Sequence, residues 1–194
     1  MSESFADPYA HFAAWFAEAT KSEPNDPNAM TLATATADGA PSARIVLLKD
    51  WSPEGFVFYT NKQSRKGGEL NLNPRAALLF FWKSLHRQVR IEGAIEDVSA
   101  AEADAYYASR ARLSRIGAWA SLQSSTLPQR GDLMRRVSEF MAKYPNDIPR
   151  PPHWGGYRLR PTQIEFWRDG EFRLHDRTVY TPSAGGWATS KLFP

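Results

Sequence analysis

Two periodicities divide the chain. Asp7 followed by Pro8 sets a cap and a proline at a first helical position, and Tyr9, Phe12, Ala13 and Phe16 then recur at helical spacing, which predicts a helix. Ser22 to Asn28 is rich in Pro, Asn and Asp and predicts a loop. From Ala29 to Ala37 threonine alternates with small or apolar residues, and Asp38-Gly39 is a hairpin signal. Arg44-Ile45-Val46-Leu47-Leu48-Lys49 is a nearly continuous apolar run flanked by cations. Ser52-Pro53-Glu54-Gly55 predicts a turn before a strand over Phe56 to Thr60. These three strands are expected to form a meander.

Ser64 caps a predicted short helix that stops before Pro74. Ala76 to Trp82 reads as a buried strand, and Arg87 to Glu96 as a strand with one wet or ligand-facing side. Ser99-Ala100-Ala101-Glu102 is a capping box that opens a helix through about Arg110. A further helix is predicted between Pro128 and Lys143, then a proline-rich connector from Pro145 to Pro152. Trp154 to the end predicts three or four strands, with turns at Asp169-Gly170 and Gly185-Gly186. The whole suggests one mainly β, antiparallel domain over residues 1–194, a closed or split barrel with peripheral helices. Residues 1–7 are expected to be a short flexible N-terminus. A doubly wound sheet is excluded, because strands come in runs and no Gly-x-Gly-x-x-Gly follows one.

Composition narrows the chemistry. The chain has no cysteine, so thiolate metal sites and cysteine nucleophiles are ruled out. His11, His86, His153 and His175 lack metal-ligand spacing, so no metal is expected. A net charge of +3 suits a phosphorylated small ligand as well as nucleic acid. No apolar run approaches a membrane span, and Met1 to Asp7 lacks the basic and apolar regions of a secretory signal, so a cytoplasmic protein is expected.

Several stretches can carry chemistry. If Arg173 to Arg177 is extended, Arg173, His175 and Arg177 share a face suited to an anionic planar ligand, although the same pattern fits a solvated sheet edge. Tyr59-Thr60-Asn61 running into Ser64-Arg65-Lys66 is a strand end entering a helix, where N–H groups and two cations can meet a phosphate. Gln88 stands on the alternating strand with an amide that needs a partner. Tyr106, Arg110 and Ser114 are four apart, so on one helix they form a polar stripe: a phosphate clamp, or simply an amphipathic face. Arg44 and Lys49 differ by an odd number, so a regular strand points them to opposite faces, and a bulge or a strand end near Lys49 would relieve this.

The run Ile164-Glu165-Phe166-Trp167-Arg168-Asp169-Gly170-Glu171-Phe172-Arg173-Leu174-His175-Asp176-Arg177 resembles the C-terminal signature of the pyridoxine/pyridoxamine 5′-phosphate oxidases. The other stretches match that family in order, covering nearly the whole chain from about residue 7. The resemblance implies an FMN-binding split β-barrel. It also implies a homodimer with FMN at the interface. FMN contacts would come from Arg44, Tyr59, Thr60, Arg65, Lys66, Gln88, Gln123, Ser124, Trp167 and Arg177. The substrate phosphate would be bound by Lys49, Tyr106, Arg110 and Ser114, with Arg173 and His175 against the substrate ring as the catalytic candidates. The implied reaction oxidises pyridoxine or pyridoxamine 5′-phosphate to pyridoxal 5′-phosphate with O2 reduced to hydrogen peroxide. Neither a nucleic-acid nor a membrane partner is implied.

Three features depart from the family pattern. Arg168 follows the tryptophan where a smaller or amide residue is usual, Lys191 stands where arginine is usual, and no long N-terminal arm precedes the first helix. Two rivals remain at this level: a related FMN oxidase on a phenazine-type substrate, and a non-enzymatic flavin- or nucleic-acid-binding barrel.

Overall fold

The structure, a computed structural model, describes residues 5–194. In chain order its elements are α1 (Pro8–Ser22), β1 (Ala29–Ala35), β2 (Pro41–Leu47), β3 (Asp50–Ser52), β4 (Gly55–Asn61), α2 (Arg65–Leu72) and β5 (Arg75–Trp82). There follow β6 (Arg87–Asp97), α3 (Ala100–Ser109), α4 (Arg112–Ala120), α5 (Arg130–Lys143), β7 (Trp154–Arg168), β8 (Asp176–Ser183) and β9 (Gly186–Lys191). The strands form one antiparallel sheet in the order β2-β1-β5-β6-β7-β4-β3, from which β8 and β9 branch off β7.

The chain path shows why this sheet must curl. β2 and β3 are its two outer strands, yet only Leu48 and Lys49 separate them. Three Cα steps span at most about 11 Å, so the two edges of the sheet lie side by side. The result is a barrel open along one seam, with Lys49 at the seam. β7 supplies the second special feature. Its first half pairs with β4 (Trp154 to Leu159) and its second half with β8 (Ile164 to Arg168), while β6 runs along its other side. A register shift between Glu92 and Gly93 bends β6 along that long partner. Gly93 is required there, because a Cβ would sit 1.9 Å from the Arg160 carbonyl oxygen.

The barrel interior is packed with aromatics. Phe12 on α1 meets Phe56 (5.1 Å between centroids) and Phe80 (5.3 Å), and Trp51 closes over it. Asp7 caps α1 by accepting from the Tyr9 and Ala10 amides, as its position before Pro8 predicts. A second apolar cluster joins Tyr107, Ile116, Ile148 and Trp154 under α5.

Three local expectations are corrected. The strand over Phe56 to Thr60 does not continue a meander, since β4 pairs with β3 and β7 rather than β2. Tyr106, Arg110 and Ser114 do not share one helix: Arg110 (ψ 147°) and Ala111 (ψ 142°) are extended and separate α3 from α4. Arg173 to Arg177 is not one extended run. Phe172 and Arg173 have positive φ (55° and 63°) in a short 3-10 turn, and only Asp176 and Arg177 belong to β8. Of the N-terminus expected to be flexible, residues 1–4 lie outside the described residues. The Phe5 ring stacks on His11 at 4.5 Å, and its carbonyl accepts from the Tyr180 hydroxyl.

His11 is buried in this contact, stacked on Phe166 at 3.7 Å with Nδ1 3.1 Å from the Tyr180 hydroxyl. Because that hydroxyl donates to Phe5, Nδ1 takes the donor role in this contact. Burial, with Arg87 adding to it, lowers the His11 pKa from 6.5 to about 4. The unfolded chain therefore binds a proton that the folded chain refuses, so stability is full above pH 6.5 and falls as pH drops towards 4. His11→Gln is expected to flatten this limb by about 1–3 kcal/mol between pH 7 and pH 4, read from urea midpoints across that range.

Candidate active site

Two clefts gather the residues singled out in the sequence. The larger, about 780 Å³, lies at the seam between β2, the end of β4, α2 and the α3–α4 corner. β2 stops at Leu47, so Lys49 escapes strand parity and lines the same cleft as Arg44. Tyr59, Thr60, Arg65, Lys66, Tyr106, Arg110, Ser114, Gln123 and Ser124 line it as well. The break at Arg110 achieves what the single-helix stripe was expected to do, since α3 delivers Tyr106 and α4 delivers Ser114 to the same space.

At one end, α2 begins with Ser64 as its cap, followed by Arg65 and Lys66. Gly67 lets the helix start lie against the preceding turn, where a Cβ would come within 2.1 Å of the Lys62 carbonyl oxygen. Lys66 is only 7% exposed. Its Nζ donates to Thr60 Oγ1 (3.2 Å), Ser64 Oγ (3.3 Å) and Gln123 Oε1 (3.2 Å), all neutral acceptors. Burial first, then Arg44, lowers its pKa. A desolvated ammonium with neutral partners favours an added anion.

Elsewhere in the lining, Tyr59 stacks on Tyr106 (4.0 Å), and the near-parallel Trp154 ring lies beside both, 5.4 Å from Tyr59 and 6.1 Å from Tyr106. The Arg110 guanidinium lies over Trp154, 4.8 Å from the ring centroid. Arg110 Nη1 is buried and has no hydrogen-bond partner among the described residues. Burial lowers the Arg110 pKa and raises that of Tyr59 to about 12. The lining thus carries two desolvated cations whose direct partners are neutral, together with a cluster of parallel aromatic rings. Phosphoryl groups and flat rings fit that donor set.

Behind the first end sits Glu69, 5% exposed. It accepts from Arg44 Nη2 (3.2 Å), Arg65 Nε (2.8 Å), Ser42 Oγ (2.6 Å) and the Thr34 hydroxyl. Burial alone would raise its pKa, but hydrogen bonds from Ser42, Thr34, Arg65 and Arg44 prevail and hold it at about 2.

The smaller cleft, about 250 Å³, is formed on β6, β7 and β8. Gln88 is paired with Trp167, and Trp167 with Arg177, so the three form one row across the sheet. Glu165 lies beside the row and takes Arg90 Nη2 and Arg177 Nε, each at 2.7 Å. His175 and Arg173 line neither cleft. His175 Nδ1 is 3.0 Å from Asp169 Oδ1, with its ring 4.7 Å from Trp167, and Arg173 is exposed. Within one chain, then, the expected residues fall into a seam group, a row group and an outlying loop.

Glu165 and Trp154 line these clefts, Glu69 backs the larger one, and none of the three was singled out from the sequence. The spacing of four from Arg65 to Glu69 is a readable helix ion pair. The reach of Glu69 to Arg44, 25 residues away, has no local signal.

Residues 16–168 match the family model described as pyridoxamine 5′-phosphate oxidase, and residues 154–194 match that of the pyridoxine 5′-phosphate oxidase C-terminal dimerisation region. The chain belongs to the pyridoxamine 5′-phosphate oxidase family. It is 62% identical to the pyridoxine/pyridoxamine 5′-phosphate oxidase of Caulobacter vibrioides, over 97% of this chain and 85% of that protein. It is 60% identical to the protein of the same name from Rhodospirillum rubrum, over 97% and 96%. Among solved structures, PhzG from Burkholderia lata in complex with tetrahydrophenazine-1-carboxylic acid superposes with a TM-score of 0.93 at 33% identity, covering 99% of this chain and 95% of that one. Among the described residues no helix is long and apolar enough to cross a membrane.

The low pKa of Glu69 has a measurable consequence. Its folded value lies below the usual 4.5, so its contribution is present above pH 4.5 and lost as pH falls towards 2. Glu69→Gln is expected to lower stability at pH 7 by about 2–3 kcal/mol, because Arg44 loses its charged partner, and to flatten the acid limb below pH 4.5. Thermal unfolding of both proteins from pH 7 to pH 2.5 checks both effects.

Proposed function

We propose that this protein is an FMN-dependent oxidase that converts pyridoxine 5′-phosphate or pyridoxamine 5′-phosphate to pyridoxal 5′-phosphate. The observation that carries the reading is the pair of desolvated cations with neutral direct partners, Lys66 and Arg110, lining one aromatic-walled cleft. Membership of the oxidase family and relatives of that name at about 60% identity support it. FMN held there would supply two-electron redox chemistry, oxidising the substrate C4′ to the aldehyde, directly from the alcohol or with water consumed and ammonia released from the amine, while O2 is reduced to hydrogen peroxide.

The chain's own residues bind and orient. Arg65 and Lys66, with Thr60, Gln123 and Ser124, hold the FMN phosphate end, with Arg44 beside them, and Tyr59 contacts FMN from the aromatic cluster. Lys49, Tyr106, Arg110 and Ser114 clamp the substrate phosphate, a remote grip whose binding energy fixes the reacting carbon. Gln88, Trp167 and Arg177 meet the flavin from a second copy of the chain, whose Arg173 and His175 lie over the substrate ring. The separation of the two clefts within one chain supports this division, as do the match to a dimerisation region and Ile45, 63% exposed on β2 beside the seam. One domain spans residues 1–194 on this reading.

A phenazine-type substrate is the second reading, favoured by the likeness to PhzG. The phosphate dependence separates the two. Purified protein with FMN and air is expected to release hydrogen peroxide and the 4′-aldehyde from pyridoxine 5′-phosphate but not from pyridoxine, and equal turnover of both would sink the proposal. Arg110→Ala is expected to raise KM for the phosphorylated substrate by roughly 30- to 100-fold with a smaller change in kcat. Arg173→Ala is expected to leave FMN bound while slowing anaerobic flavin reduction in a single turnover; an unchanged rate refutes its place at the ring.

A further inference from the structure

Glu165 lines the small cleft, and among the described residues its carboxylate bonds only to arginines. Each carboxylate oxygen takes one guanidinium: Oε2 accepts from Arg90 Nη2 on β6, and Oε1 from Arg177 Nε on β8. The strand between them, β7, is flanked on both sides, and Glu165 is 4% exposed. A carboxylate there is costly unless fully paired, and an apolar residue on the central strand would hold the sheet at least as well. Its same-face neighbours on β7 are Gln163 and Trp167, while the buried apolar Ile164 and Phe166 point to the opposite face. The charge therefore calls for an explanation beyond stability.

Arg177 supplies one. Its Nε is taken by Glu165 and its Nη1 donates to the Phe193 carbonyl at 3.0 Å. A guanidinium has five N–H donors in a fixed plane, so two fixed bonds set the direction of the other three. Arg177 stands in the row with Trp167 and Gln88, at the cleft wall. Glu165 also keeps Arg177 firmly protonated, raising its pKa chiefly through their hydrogen bond.

We propose that Glu165 is a positioning residue for flavin binding, a buried carboxylate that fixes the plane of the Arg177 guanidinium and acts on the cofactor only through it. This rests on the flavin reading given above. Arg90 is the second arm of the same clamp: placed directly across from Glu165, it holds the carboxylate in turn.

The test is a double-mutant cycle on FMN affinity, measured by quenching of FMN fluorescence on titration with apoprotein. Glu165→Gln keeps the shape and removes the charge, and is expected to weaken FMN by about tenfold or more, as loss of a charge-assisted orienting bond should. Arg177→Ala is expected to weaken it at least as much. The double variant is expected to bind no more weakly than Arg177→Ala alone, because the carboxylate then has nothing to orient. Additive losses would overturn the proposal, since a carboxylate that merely stabilises the sheet would weaken binding whether or not Arg177 were present. Glu165→Asp retains the charge one methylene short and is expected to restore part of the affinity. If the Gln variant does not fold, the same cycle is run with Asp, with the same two outcomes. Wild-type apoprotein that binds no FMN defeats the flavin reading and this role with it, whereas tight wild-type binding with an additive cycle defeats this role alone.

Discussion

A cation withdrawn from water must be met by an anion, and the distribution of carboxylates behind this sheet decides which cations are met internally. Glu69 answers Arg44 and Arg65; Glu165 answers Arg90 and Arg177. Lys66 and Arg110 make their direct contacts with neutral groups instead. Burial lowers the pKa of both, so theirs is the charge that the protein balances least. The internally paired arginines are held as rigid donors, and the unbalanced cations mark where negative charge from outside is most strongly favoured. Geometry at the clefts follows from this division of labour more than from the shape of the walls.

The backbone makes the division possible. The two-residue link from β2 to β3 draws the edges of the sheet together, which puts Lys49 in the seam opposite the helix start that carries Lys66. The length of β7 does the same for the other cleft. By pairing first with β4 and then with β8, it places Glu165 between two strands that each contribute an arginine. A shorter β7 would leave β8 paired with β9 alone and Arg177 without its Glu165 anchor.

Most elements were legible because their signals are local. The Asp7-Pro8 and Ser64 caps, the Asp38-Gly39 turn and the alternation of β6 are each contained within a dozen residues. What was not legible is non-local or unmarked. β4 is nearly all buried, so its pattern gives no clue that its partner is β7, about a hundred residues on. The break at Arg110 and Ala111 has neither glycine nor proline to announce it, and a spacing of four fits a continuous helix just as well. Phe172 and Arg173 adopt positive φ without glycine, so an alternating sequence there suggested a strand. The gathering of Arg44, Lys49, Tyr59, Lys66, Tyr106 and Arg110 into one cleft is a tertiary outcome that local patterns could not deliver, and the family resemblance anticipated it.

The packed interior also bears on where a planar ligand can go. Phe12, Phe56, Phe58 and Phe80 are wholly buried inside the barrel, and Phe12 meets Phe56 and Phe80 edge-on, so the described residues leave no lumen for a three-ring system. Any such ligand must lie on the outer surface, where one small barrel offers a single wall. A flat ring held at one wall leaves its other face in water and its oxidation chemistry unshielded. A second wall is needed, and the exposed β2 residue Ile45 beside the large cleft gives an apolar surface on which one can seat. On the reading proposed here that wall is the small cleft of another copy. The flavin would then be gripped by its phosphate from one chain and by its ring from the other, so that neither chain alone holds a complete site.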